Sequence, residues 1–338
     1  MFARKKLGSQ TVLFENAVHV IGSGCVAGQL ESQGPLKNTF DLIMPDPFFG
    51  EKTWEKAESK MLREAAIFAA NKSNKPPASI DVAFAGDLLN QCISSCFALR
   101  TLELPFYGLF GACSTMSESL ALGAITIDGG FAETALCGTS SHFSTAERQF
   151  RFPLEYGGKR TPTAQWTVTG SGMAILSNEG AGPCITHVTS GKVIDKGIVD
   201  SGNMGAAMAP AAASTLEAHF NDTSLNPSDY DLIVTGDLGK LGRDILVDLM
   251  NDAGFDLSGN YNDCGIMIFD LAKQDVACGG SGCGCSAVVL CGDLLQKMAR
   301  GELNRILFVG TGALMSPTST MQGESIPAIA HAVAIANR

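Results

Sequence analysis

The sequence predicts an α/β fold in which two similar βαβ-rich halves share a mostly parallel sheet. Three observations carry this reading. Short apolar runs alternate with amphipathic stretches along all 338 residues, the pattern of strands joined by crossover helices. Landmarks at strand and helix boundaries recur at fixed spacings between the first and second half. The composition, 45% hydrophobic against 17% charged with 38 Gly, suits buried strands and tight turns rather than a disordered chain.

Taken in order, Ile80 to Ala85 reads as a buried strand entered from the Pro76-Pro77 loop, and Leu88 to Leu102 as a helix. Phe106 to Phe110 reads as a second strand. Ser114 to Asp128 reads as a helix stopped by Gly129-Gly130, and Thr134 to Gly138 as a third strand. That alternation implies right-handed crossovers. The polar segment Ser140 to Gly170 is too long for a plain connection and is expected to be a folded insertion over a pocket, with Ser171 to Ser177 returning as a strand. The repeat then begins. Asp81-Val-Ala-Phe-Ala-Gly86-Asp87-Leu88 is echoed by Asp231-Leu-Ile-Val-Thr-Gly236-Asp237-Leu238, 150 positions on. Cys113-Ser114, Gly129 and Gly138-Thr139 recur as Cys285-Ser286, Gly301 and Gly310-Thr311, each 172 positions on. The expected division is 1–180 with an insertion at about 140–170, then 181–338.

Other features exclude function classes. A net charge of −10 argues against nonspecific attraction to nucleic acid or anionic lipid. Eleven cysteines, an odd number without framework spacing, fit a reduced intracellular compartment. No leader pattern and no apolar run of about 18 residues is seen, so the chain is expected to be soluble or peripheral to a membrane. Cys278, Cys283 and Cys285 lack the second knuckle a structural zinc needs, so no metal is expected. Gly22-Ser-Gly24-Cys-Val-Ala-Gly28 has its third glycine misplaced for a dinucleotide fingerprint, and no cofactor is expected. The Ala-rich run Met204 to Ala213 is expected to mark close helix packing.

A duplicated βαβ chain with Phe110-Gly-Ala-Cys113-Ser-Thr at a strand-to-helix turn resembles the thiolase and ketoacyl synthase superfamily. That resemblance implies a thiolase-like fold, a layered α-β-α-β-α sandwich, with Cys113 where the superfamily has its acyl-accepting nucleophile. More specific strings are Ala85-Gly-Asp-Leu-Leu-Asn90-Gln, Thr139-Ser-Ser-His142, Ala146-Glu-Arg148-Gln-Phe-Arg151, Asn262-Asp-Cys-Gly265 and Gly312-Ala-Leu-Met-Ser-Pro317. Together they resemble the stage V sporulation protein AD family from about Gln10 to His331, departing at Val12 and Ala17, where Trp and Pro are expected. The resemblance implies binding of dipicolinic acid, with or without calcium, for its uptake into the developing spore. It also implies membrane protein partners of the same spore channel system and a forespore or spore location peripheral to the inner membrane. Relatives of this kind are commonly homodimers, and no nucleic acid is implied.

At the start of a helix, Cys113 is expected to feel the positive end of the dipole, which lowers a thiol pKa and equips a nucleophile. Acyl transfer also needs a base and an oxyanion donor. The positions from which the ketoacyl synthase III pattern draws its His and Asn fall near Gly236 and Ser281. A retained pocket used for binding is therefore the expectation. The alternative is an acyltransferase or β-ketoacyl synthase-like enzyme with Cys113 as nucleophile and His142 or His331 as relocated base. For a flat dicarboxylate, the helix N-terminus would take one carboxylate and the guanidinium of Arg148 or Arg151 the other. Phe150, Phe152 and Tyr156 are placed to stack on the ring. His142, Asn90, Ser281 and the pair Asp87 and Asp237 complete the expected ligand-binding set, although Asp at those positions also suits helix capping.

Overall fold

The computed structural model describes residues 5–150 and 160–337. Its first part holds β1 (Lys6–Leu7), β2 (Thr11–Ala27), β3 (Leu42–Ile43), α1 (Trp54–Ser73), β4 (Val82–Gly86), α2 (Ile93–Arg100) and β5 (Phe106–Leu109). It continues with α3 (Thr115–Asp128), β6 (Thr134–Ser141), α4 (Phe143–Phe150), β7 (Trp166–Thr167) and β8 (Gly170–Ser177). Then come β9 (Cys184–Thr189), α5 (Met204–Thr223), β10 (Leu232–Thr235), α6 (Gly239–Asp252), β11 (Tyr261–Asp263), α7 (Cys264–Met267) and β12 (Gly280–Ser281). Helix α8 (Cys283–Val289) runs through a π turn, Leu290–Leu294, into α9 (Leu295–Ala299), followed by β13 (Arg305–Ala313), α10 (Pro317–Met321) and β14 (Ala328–Ala336).

The strands hydrogen-bond in the order β11-β10-β13-β14-β9-β2-β8-β6-β4-β5. Read inward from either end, the pairings are the same: parallel, parallel, antiparallel, antiparallel. The two series meet where β2 and β9 pair antiparallel. The central helices join the halves. Helix α3 packs on β4 and β6 from one series and on β13 and β14 from the other, while α8 packs on β6, β8 and β2. Helices α1 and α2 cover one outer face and α5 and α6 the other, giving five layers.

Each interlayer space has its own apolar filling. Met116, Leu120, Val288 and Leu290 fill the middle, Met61, Leu62, Met173 and Ile175 the α1 side, and Met208, Leu216, Phe220 and Leu246 the α5 side. Glycines allow the closest approaches. A Cβ on Gly24 would lie 2.3 Å from Ala65 O of α1, so the Gly22 to Gly28 stretch is strand packed on helix and not a nucleotide loop. Helix α5 contains the Ala-rich run, and its Gly205 abuts Gly242 of α6, where an added Cβ would lie 2.8 Å from Gly205 Cα.

One expectation about elements needs correction. The helix predicted from Leu88 begins only at Ile93, because Asp87 accepts hydrogen bonds from Leu89 N (2.9 Å) and Ser95 N (2.8 Å) and folds the intervening chain into a turn. Gln91 and Cys92 there have φ of +60° and +52°, which no helix tolerates. The segment read as an insertion from Ser140 is partly regular: β6 extends through Ser141, α4 follows, and β7 pairs in parallel with β12.

Candidate functional site

Strand β5 ends at Leu109, and the chain then turns sharply into α3. Ala112 has φ +48°, a left-handed conformation uncommon for a residue with a Cβ. Ser114 Oγ donates to Gly111 O and Thr115 Oγ1 to Ala112 O, both at 2.7 Å, pinning the turn. Strand β13 runs directly beneath, where a Cβ on Gly312 would stand 2.3 Å from Gly111 O. The turn delivers Cys113 to the wall of a cleft that opens to solvent. Phe110, Ala146, Phe150, Gln165, Ser281 and Met315 also line it.

Cys113 is 7% exposed and packs with Leu88, Ala146 and Cys283. Near it stands the buried Asp237 carboxylate, which accepts from Thr311 Oγ1 (2.7 Å), Ser281 Oγ (3.1 Å) and Gly282 N (3.0 Å). The expected lowering of the thiol pKa is not found. Burial first, and then the negative charge of Asp237, push the thiol well above its ordinary value, outweighing the opposing Gly282 N–H. Asp237 itself is raised by burial, against the hydrogen bonds it accepts from Cys113 and Thr311. Both shifts favour the protonated forms, and the thiol keeps its proton at neutral pH.

The base positions are empty of imidazole. At Gly236 a Cβ would lie 3.2 Å from Thr311 N and 3.4 Å from Gly310 Cα, so the backbone crowds out a larger side chain. Ser281 stands at the other position, with its hydroxyl turned to Asp237. His142 is not beside Cys113. Its Nε2 donates to Pro47 O (2.9 Å), its Nδ1 accepts from Ser144 N (3.1 Å), and burial lowers its pKa. It lines a second cavity, together with Glu31 and the stacked Phe143–Trp166 pair. His331 accepts from Gly191 N (3.1 Å) and burial lowers its pKa to about 4. Burial thus favours the neutral form of both histidines.

The structure brings Cys113, Asp237 and Ser281 together and leaves the remaining candidates apart. Asp87 is fully buried, accepting from Leu89 N and from the backbone N–H and hydroxyl of Ser95. Asn90 is exposed, its N–H donating to Gln149 Oε1 (3.1 Å). Arg148 pairs with Glu55 and lies over the Trp54 ring, 5.5 Å from its centroid, in a separate shallow groove shared with Asn90. Arg151, Phe152 and Tyr156 lie outside the described residues. Arg160 donates to Glu147 Oε1 and Gln165 O, both at 2.9 Å, and covers Trp166 at 4.5 Å, so it buttresses the cleft wall. Gln165, which lines the cleft and donates to Asp237 O (2.6 Å), is absent from the residues predicted by sequence. The apolar-polar alternation of Ala164-Gln-Trp-Thr-Val-Thr169, which marks β7, is the signal that could have found it.

The fold and the cysteine-bearing turn define a thiolase-type α/β protein, and comparison with solved structures agrees. The chain superposes on 3-oxoacyl-[acyl-carrier-protein] synthase III from Aquifex aeolicus VF5 with a TM-score of 0.58 and 11% identity, covering 94% of this chain and 99% of that one. For cerulenin-bound OleA of Xanthomonas campestris the TM-score is 0.58 at 13% identity, covering 96% and 97%. For human mitochondrial 3-ketoacyl-CoA thiolase in complex with CoA it is 0.55 at 13% identity, covering 96% and 99%. The family profile of stage V sporulation protein AD matches residues 8–336, and the chain belongs to that family. It is 46% identical over 329 residues to stage V sporulation protein AD of Bacillus subtilis (strain 168), covering 97% of each chain.

Proposed function

We propose that this sporulation protein binds dipicolinate in the Cys113 cleft and serves its uptake into the developing spore, without catalysing acyl transfer. The observation that carries the non-catalytic part is the lining of the cleft around Cys113. A nucleophilic thiol gives its proton to a base that can hold it, whereas burial and the Asp237 charge hold the proton on Cys113 and no histidine lines the cleft among the described residues. What supports the binding part is a solvent-open cleft with aromatic walls at Phe110 and Phe150, together with family membership. Among the described residues, no helix is long and apolar enough to cross a membrane. Placement at the spore inner membrane would therefore come through membrane partners of the same channel system. Calcium accompanying the ligand and two-fold pairing of this chain belong to the same proposal.

Calorimetry with dipicolinate tests it. The wild type is expected to bind, Ala146→Phe to lose binding by filling the cleft, and Arg148→Ala to keep it, since that guanidinium is engaged with Glu55. A wild type giving neither heat nor thermal shift with dipicolinate sinks the proposal.

A further inference from the structure

The outer face formed by α1 and α2 carries a charge unlike the chain as a whole. In α1, Lys56, Lys60 and Arg63 follow one another at helical spacing and so share one side of the helix. They line one groove together with Arg100, the last residue of α2, and Phe97 one turn before it. Glu51 and Glu55 are the acids of that groove. Lys60 Nζ donates to Phe49 O (2.8 Å), and Arg63 pairs with Glu64 (2.9 Å). Lys56 and Arg100 are exposed and have no carboxylate partner among the described residues. Arg100 instead lies over the Phe97 ring, 4.6 Å from its centroid. Through Glu55 the face continues into the neighbouring groove, where Arg148 lies over Trp54. Exposed rings are interleaved with these cations: Phe97 is 42% exposed, and Phe48, 43% exposed, stacks on Trp54. The opposite outer layer has the other sign. Asp244, Asp248 and Asp252 of α6 and Glu217 of α5 are all exposed.

We propose that the α1–α2 face is a docking surface for a membrane containing anionic phospholipid. Phosphate headgroups meet Lys56, Lys60, Arg63 and Arg100, and the rings of Phe48 and Phe97 sit at headgroup depth. A small anion calls for one convergent pocket, whereas these cations spread over two adjoining grooves with exposed rings between them. Long basic stems laid along apolar surface with their charges outward suit a lipid interface. The acidic α5–α6 layer is repelled by the same surface, which decides the face that turns toward it and keeps attraction local in a chain of net charge −10. The proposal goes beyond the binding reading of the cleft and does not rest on it. Helix α4 separates the two places, with Arg148 and Gln149 lining the outer groove and Ala146, Glu147 and Phe150 the cleft. A membrane on this face therefore lies one helix away from the cleft.

The test is co-sedimentation of the full chain with vesicles of phosphatidylcholine alone and of phosphatidylcholine mixed with phosphatidylglycerol. Binding is expected only with the anionic mixture, and is expected to fall as salt rises from about 0.05 M to about 0.5 M. Lys56→Gln combined with Arg100→Gln is expected to weaken it about 30-fold, at roughly fivefold for each basic residue near an anionic surface. Both side chains are exposed, so the fold is expected to persist. Lys240→Gln combined with Arg243→Gln removes the same charge from α6 and is expected to leave binding unchanged. Equal binding to both vesicle types, equal loss in both double variants, or no binding to the anionic mixture overturns the proposal. A Glu-rich peptide that binds through Lys56 and Arg100, with no sedimentation on anionic vesicles, assigns the face to an acidic protein segment and overturns it too. Dipicolinate calorimetry on the Lys56 and Arg100 double variant is expected to match wild type, which keeps failure of this proposal distinct from failure of the cleft reading.

Discussion

Replacing Asp237 by asparagine tests the account of Cys113 most directly. In the wild type, a thiolate at position 113 would be held near the Asp237 carboxylate, whose charge raises the thiol pKa. Two unit charges about 4 Å apart at an effective dielectric of about 20 repel by about 4 kcal/mol, which disfavours the thiolate. The Asp237→Asn substitution removes that repulsion but leaves burial, which is the larger cause of the upward shift. The thiolate fraction at about pH 8 is therefore expected to rise by up to about 1,000-fold in the variant, yet to stay below that of an exposed cysteine. Alkylation by iodoacetamide from about pH 6 to 10, followed by peptide mass spectrometry with Cys113→Ser as blank, reads this out. Circular dichroism checks that loss of the charge facing Thr311, Ser281 and Gly282 has not unfolded the variant. If wild-type Cys113 reacts at neutral pH as fast as in the urea-denatured chain, or if the variant reacts no faster than wild type, the reasoning is wrong. The same account expects no stable Cys113 adduct after incubation with acyl-coenzyme A.

Further outcomes follow from buried titratable groups elsewhere. Burial pushes Glu31 up to about 7 from an ordinary 4.5, so the folded chain holds this proton more tightly than the unfolded one. Its contribution is fullest below the unfolded value and is lost as pH rises through about 7, by about 3 kcal/mol in all. Stabilities from urea titrations at about pH 5 and pH 8.5 should diverge by that much more in wild type than in Glu31→Gln, and equal pH dependences would refute it. Glu58, raised by burial and then by the neighbouring Asp87 charge, adds to the fall in the same direction. His142→Ala leaves Pro47 O and Ser144 N without partners and should cost about 1–3 kcal/mol of stability while leaving dipicolinate affinity unchanged. A tenfold loss of affinity with an unaltered melting temperature would instead place His142 in the site.

Local signals make much of the fold readable from sequence. Thr134 to Gly138 and the Gly310-Thr311 match are strands because apolar runs of that length bounded by glycines have few other solutions, and β6 and β13 sit at equivalent places in the sheet order. Periodicity sets the helix start too early, at Leu88, because it does not reveal a side chain that captures backbone N–H groups, which Asp87 does here. The site is less readable for the same kind of reason. Asp87 and Asp237 share one sequence context, yet one is sealed among serines and the other lies against Cys113. Which of the two meets the cleft depends on tertiary packing that no local string encodes. Gln165 falls in a short alternating run that marks a strand without showing what it pairs with, and its placement follows from β7 pairing with β12, a contact between segments far apart in the chain.

The antiparallel pairing of β2 with β9 has a mechanical consequence. Because it welds the inner edge strands of both series into one ladder, and because α3 is clamped by strands from each side, the two series cannot swing apart like jaws. A small molecule reaching the cleft would therefore have to pass the side chains at its rim, Ser201 and Met204 among them, rather than wait for the two series to part.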